Sequence, residues 1–270
     1  STMEHNINTA IATWNGPLGL PEFERIDDRD FERAFTVALT AHLADIEAIN
    51  ANPEPPSFEN TIVTLEASGE LLRRVSSIFW NLAGADTNDT LQTLERNLSP
   101  LLSRHYSAIM MNRDLFARID TLYRTRDTNS LDSEANRVLE LTWKSFTRLG
   151  ANLDDQTQER LARINERLAT LSTAFSQNVL ADERDYALFL EKTDDFAGLP
   201  KSLIASMRVA AQERGQSGKC AVTLSRSIIE PFLTFSKRRD LRETVFKAWI
   251  ARGESNVAHD NRPIVAEMVG

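Results

Sequence analysis

The sequence has one cysteine, Cys220, so it can form no internal disulfide and cannot build a thiolate zinc site by itself. A reducing compartment, the cytoplasm, is the expected location. The few glycines never fall at the spacing of a phosphate-cradling loop. The residues after the four histidines are Asn6, Leu43, Tyr106 and Asp260, so the metalloprotease pattern H-E-x-x-H is missing. Glu-x-x-His, the helical di-iron pattern, is missing too, as is G-x-S-x-G. No apolar run approaches a membrane span, and the start lacks a basic region followed by a secretory core. Lys and Arg number 31 against 39 Asp and Glu, a net charge of −8. That balance argues against nucleic acid or an anionic membrane as the main partner.

What is present is helical periodicity. From Ser57 to Asp89, after Pro55 and Pro56, apolar residues recur at steps of three and four. They are Phe58, Ile62, Leu65, Leu72, Val75, Phe79 and Leu82, with Gly69 on the same face. The spacing predicts one long helix, capped by Ser57, that serves as the central strut of a helical domain. Gly69 is expected where another helix crosses closely.

The rest of the chain follows the same period. Residues 1–19 read as an extended arm, with Ser1 and Thr2 as additions ahead of Met3. A helix capped by Asp27 or Asp28 carries Phe31, Phe35, Leu39, His42, Ile46 and Ile49. Another begins at Thr87 or Asn88, carries Leu91, Leu94, Leu98, Leu102, His105 and Ile109, and should kink or split at Pro100. A short helix follows from Asp114 to Arg126, and then one capped by Ser133. The longest clean repeat runs from Asp155 to Asp182, through Leu161, Ile164, Leu168, Leu171 and Phe175. Short strands are expected at Tyr186–Leu190 and Cys220–Leu224, pairing as a ribbon. Helices then begin at Pro200, Pro231 and Asp240, with a last one from Asp260 or Asn261. The fold class is all-α, built of long antiparallel helices with one small two-stranded β ribbon. Residues 20–259 form one helical domain, and 260–270 begin a further helix.

Chemistry-bearing residues are sparse. His42 and His105 each lie on the apolar stripe of a helix, and a buried neutral imidazole with one hydrogen bond is expected at both. Cys220 reads as a core residue of a strand. Lys237, Arg238, Arg239 and Arg242 read as the solvated start of a helix, and His259 to Pro263 as an N-terminal cap. A triad assembled in space would leave no local signature. From the residues alone the chain contains no self-sufficient chemistry.

Seven phrases give the chain a resemblance. They are FENTIVTLEASGELLRRVSSIFWNL from Phe58, TND from Thr87, NRDLFARID from Asn112 and LATLSTAFSQNVL from Leu168, then AGLP from Ala197, PFLTFSKRRDLRETVFKAW from Pro231 and HDNRPIV from His259. In this order they resemble the thimet oligopeptidase-like family of zinc metallopeptidases, most closely its bacterial peptidyl-dipeptidase branch. The resemblance implies an N-terminal segment forming one wall of a channel for short unfolded peptides. It implies one zinc ion, held in an absent C-terminal catalytic part by H-E-x-x-H and a further glutamate. There the metal supplies a water of lowered pKa. No catalytic or metal residue falls on this sequence, and its substrate-binding residues are unassigned. The segment alone is expected to be inactive, to hold no zinc and to self-associate through Ile264, Val265, Met268 and Val269. The alternatives are an autonomous helical scaffold derived from the family and a fragment of an oligopeptidase A-like endopeptidase.

Overall fold

Helix starts sit where a side chain can accept the first orphan N–H groups. In the computed structural model, which describes residues 7–270, Asn88 accepts from the Leu91 N–H (2.9 Å) and Asn112 from Leu115 (2.8 Å). Asp132 accepts from Ala135 (2.8 Å), one residue earlier than the Ser133 cap that the pattern suggests. Asp154 accepts from Thr157 (2.9 Å). The reading of Ser1 and Thr2 lies outside the described residues.

The elements are α1 (Thr9–Ala12), α2 (Asp30–Asn50), a π-helical stretch at Phe58–Val63, α3 (Thr64–Ala67) and α4 (Glu70–Ala85). Next come α5 (Asp89–Met110), α6 (Arg113–Arg124), α7 (Ser133–Arg148) and α8 (Asp155–Asp185). Strand β1 (Leu188–Leu190), α9 (Lys201–Glu213), β2 (Cys220–Val222), α10 (Arg226–Phe235), α11 (Arg239–Ile250) and α12 (Arg262–Val269) complete the order. The fold is all-α with one ribbon. β1 and β2 pair antiparallel, with Leu188 opposite Val222 and Leu190 opposite Cys220.

The chain divides into two compact units, Ser1–Thr170 and Leu171–Gly270. The boundary falls inside α8, so no linker marks it in the sequence. In the first unit two apolar clusters form. One gathers Phe31 and Phe35 of α2, Leu72, Val75 and Phe79 of α4, and Leu91 and Leu98 of α5. The Phe79 ring meets both Phe31 and Phe35 edge-on at 5.4 Å. The other gathers Ile46 and Ile49 of α2, Ile62, Ile109 of α5, and residues of α6 and α7 such as Leu115, Ile119 and Leu139.

In the second unit the ribbon lies among Leu203 and Met207 of α9, Ile229 and Phe232 of α10, and Val245 of α11. Its other feature is polar. Asn178 on α8 donates to the Asn261 carbonyl oxygen Oδ1 (2.8 Å), and buried Asp182 accepts from the Gly253 N–H (2.7 Å) and Ser255 Oγ (3.2 Å). Arg252 pairs with Glu183. Side-chain hydrogen bonds thus fasten the turn after α11 to the C-terminal half of α8.

Several sequence expectations change. Ile7 and Ile11 fill the first core and Asn8 caps α1, so the predicted extended arm contains a buried helical turn. Helix α5 runs unbroken through Pro100, since losing one N–H does not outweigh burial of Leu91, Leu98 and Ile109 along it. On α8 only Leu171 of the predicted stripe is buried (5% exposed), whereas Ile164 is 45% exposed. Periodicity reports a face that can be covered, not one that is.

The largest change is in the strut, which is broken. Ser68 is extended (φ −67°, ψ 152°) and Gly69 is left-handed (φ 69°, ψ 27°) before α4 begins. A Cβ on Gly69 would stand 2.8 Å from the His42 ring. The close approach expected at Gly69 is real, but it sits at a break, where any side chain is strained. Gly84, inside α4, has a helical backbone and open space around its Cα. Gly69→Ala is therefore expected to destabilise by about 2 kcal/mol or more, and Gly84→Ala to stabilise by about 0.5–1 kcal/mol. Urea denaturation of both variants checks the pair; a stable Gly69→Ala protein would mean that the break is not obligatory.

Candidate functional site

The three elements that run through both apolar clusters of the first unit bring a polar side chain to one common place. On α2 it is His42, between Phe35 and Ile46 in sequence. On α5 it is His105, between Leu98 and Ile109. Between α3 and α4 it is Ser68. The structure joins them: His105 Nε2 lies 2.9 Å from His42 Nδ1, and His42 Nε2 lies 3.2 Å from Ser68 Oγ. The sequence placed each imidazole alone with one partner; packing makes them partners of each other. Ser68 was not singled out, because a serine on a helix pattern carries no signal that two rings will meet it.

Proton directions follow from the chain of bonds. Ser68 Oγ donates to the Leu65 carbonyl (2.5 Å), so it accepts from His42 Nε2–H. His42 Nδ1 is then the acceptor for His105 Nε2–H. His42, with one ring nitrogen donating and the other accepting, must be neutral in this arrangement. Burial pushes the His105 pKa down to about 4, with the neighbouring His42 ring adding to the effect. Burial also lowers the His42 pKa; Asp45 opposes this and Arg73 reinforces it. The Tyr106 phenol, whose ring meets both imidazoles edge-on, is pushed up by burial. The broken backbone is also satisfied, since Asp45 Oδ2 accepts from the Gly69 N–H (3.0 Å) and Arg73 donates to the Ser68 carbonyl (2.7 Å).

Ser68, His42 and His105 have the connectivity of a nucleophile, a base and an orienting group, but not their chemistry. The Ser68 proton is held by a carbonyl, and His42 Nε2 presents a proton where a base needs a lone pair. The N–H after Ser68, which could stabilise an oxyanion, belongs to Asp45. Ser68 is only 7% exposed. A cleft of about 550 Å³ beside it is walled by Thr9, Ala41, Asp45, Ala67, Glu70 and Arg74 among others, and by neither imidazole nor Ser68. The group is structural.

The same donors do not suit zinc. The two facing imidazole nitrogens hold each other, and the Asp45 carboxylate, which acts electrostatically on His42, accepts from the Gly69 N–H. Among the described residues no group of three or more His, Cys, Asp or Glu has metal-holding geometry. Cys220 is buried in β2 with its sulfur toward the Ile204 carbonyl (3.8 Å), a core position as expected. The basic run is less free than its sequence suggests. Arg238 pairs with buried Asp195 (2.8 Å) and with Asp240 (2.7 Å), and Arg242 donates to the Ser236 carbonyl. His259 turns its Nδ1 to Asp182 (3.1 Å), while Asp260 accepts from the Arg262 N–H (3.0 Å) as a local cap.

No family model matches the chain. Among curated proteins it is 36% identical to a dipeptidyl carboxypeptidase of Escherichia coli (strain K12) over 253 residues, 94% of this chain and 37% of that relative. It is 34% identical over the same shares to the dipeptidyl carboxypeptidase of Salmonella typhimurium, and 25% identical to oligopeptidase A of that organism over 93% of this chain. The chain spans little more than a third of the length of these relatives.

The neutral imidazole pair gives a stability signature. The folded pKa of His105 lies below its unfolded value, so its contribution is complete above about pH 6.5 and is lost as pH falls towards 4. His105→Gln, which keeps an N–H donor for His42 but does not titrate, is expected to reduce the stability lost between pH 7 and pH 4.5 by about 1–3 kcal/mol. Urea denaturation at the two pH values measures this; an unchanged loss would show that the pair is not the acid-sensitive element.

Proposed function

Because the chain is a relative, over nearly all of its length, of thimet oligopeptidase-like peptidases named dipeptidyl carboxypeptidase and oligopeptidase A, we propose that it is the N-terminal part of a peptidyl-dipeptidase. That enzyme would release C-terminal dipeptides from short oligopeptides, with this helical segment as one wall of the substrate channel. The observation that carries the choice of branch is the identity of 36% to the dipeptidyl carboxypeptidase, against 25% to oligopeptidase A, over nearly the same stretch. It favours dipeptide release over internal cleavage.

The segment's share of the work is steric. Zinc in the parent enzyme would supply the polarised carbonyl and activated water. The residues here do not fit that metal, and its ligands are assigned to the remainder. The cytoplasm is the proposed location. No helix among the described residues is long and apolar enough to cross a membrane.

The 270-residue chain is expected to leave a blocked tripeptide uncut and to hold no stoichiometric zinc, while the parent protein releases the dipeptide and loses that activity to a chelator. Cleavage by the chain alone would place the chemistry within it. Alone, the chain is also expected to self-associate through α12, where none of Ile264, Val265, Met268 and Val269 is buried. Sedimentation at increasing concentration tests this. A strict monomer would favour a self-contained scaffold.

A further inference from the structure

The stretch from Thr13 to Asp30 crosses the first unit as short turns, yet it is tied down at both ends. Arg74 donates to the Ala12 carbonyl (2.7 Å), and Asn8 Nδ2 donates to the Arg25 carbonyl and to Asp30, each at 2.7 Å. Between these ties the backbone closes on itself. The Gly16 N–H donates to the Leu20 carbonyl (2.8 Å), Gly19 to Gly16 (3.1 Å) and Leu20 to Pro17 (3.2 Å). A Cβ on Gly16 would stand 2.5 Å from the Leu20 carbonyl oxygen, so the turn admits no side chain there.

This turn holds Leu18 at φ 60°, ψ 20°. Leucine is poorly suited to the left-handed region, where its Cβ crowds the following carbonyl, and glycine or asparagine would adopt it at less cost. Leu18 is nevertheless 99% exposed, and Leu20 and Phe23 beside it are also exposed. Single exposed leucines are ordinary. A leucine that is strained, rigidly presented and wholly uncovered gains nothing from its own unit, and backbone strain of this kind gathers at binding positions.

We propose that Leu18, flanked by Leu20 and Phe23, is a preorganised apolar knob that seats in a pocket of the remainder of the parent peptidase. This rests on the reading of the chain as one part of that longer enzyme. The occupant follows from length: the matched stretch is 37% of the dipeptidyl carboxypeptidase relative, so more of that protein lies outside the match than inside it. A knob already fixed by its turn loses little freedom on docking, which favours a permanent intramolecular contact.

Leu18→Gly separates the two roles of this residue, because it removes the knob and relieves the turn. In the 270-residue chain the melting temperature is expected to hold or rise. In the parent protein it is expected to fall by about 3 °C or more, with Leu18→Met, which keeps a long apolar side chain, close to the unsubstituted protein. An equal fall in both proteins would make Leu18 a local structural residue, and an unchanged parent would leave the knob without a socket; either result overturns the proposal. Self-association of the 270-residue chain that Leu18→Gly abolishes would assign the knob to a second copy and overturn it as well. The underlying reading is tested separately, by whether the unsubstituted parent releases a dipeptide from a blocked tripeptide.

Discussion

The hydrogen-bonded row of His105, His42 and Ser68 is the constraint around which the first unit is arranged. Two apolar clusters lie along the same three elements, and such clusters alone would tolerate a slide of one helix past another by a turn. A buried polar group without a partner costs far more than a repacked leucine. In this alignment of α2, α5 and the α3–α4 break, both His42 nitrogens and His105 Nε2 are paired. The row therefore sets register, while the phenylalanines and isoleucines on either side supply most of the burial.

The broken strut follows from this. For Ser68 to reach His42, the backbone must turn where a continuous helix would place a side chain against the imidazole. Glycine at 69 permits both the positive φ and the contact. Asp45 and Arg73 then bind the N–H and carbonyl that the break exposes. A histidine pair, a missing Cβ and two charged side chains thus solve one problem. That shared use explains why these residues carry so much polarity without carrying chemistry.

The second unit uses another device. Its ribbon and helices α9 to α11 enclose one apolar cluster, but the turn after α11 is held to α8 by Asn178, Asp182 and Glu183. Hydrogen bonds of this kind fix position with little apolar area. They suit a segment that must present surface elsewhere, as the uncovered apolar residues of α12 do.

Periodicity and capping chemistry are local, so the sequence by itself determined the helix content, most helix starts, the ribbon and the inward faces of α2 and α5. The order of its phrases also carried the kinship that the comparisons support. It marked Gly69 as a close crossing and His105 as buried, because each sits on an apolar stripe; His42, expected to be buried as well, is only half-buried. It did not reveal that the two rings meet, that Ser68 joins them or that the strut breaks there. Those facts depend on which helices become neighbours, and residues 26 and 63 positions apart leave no spacing to read. Nor did it show that the stripe of α8 stays partly open or that Leu18 is held strained in solvent. Pattern records what a face can bury; only the assembled structure decides whether anything lies against it.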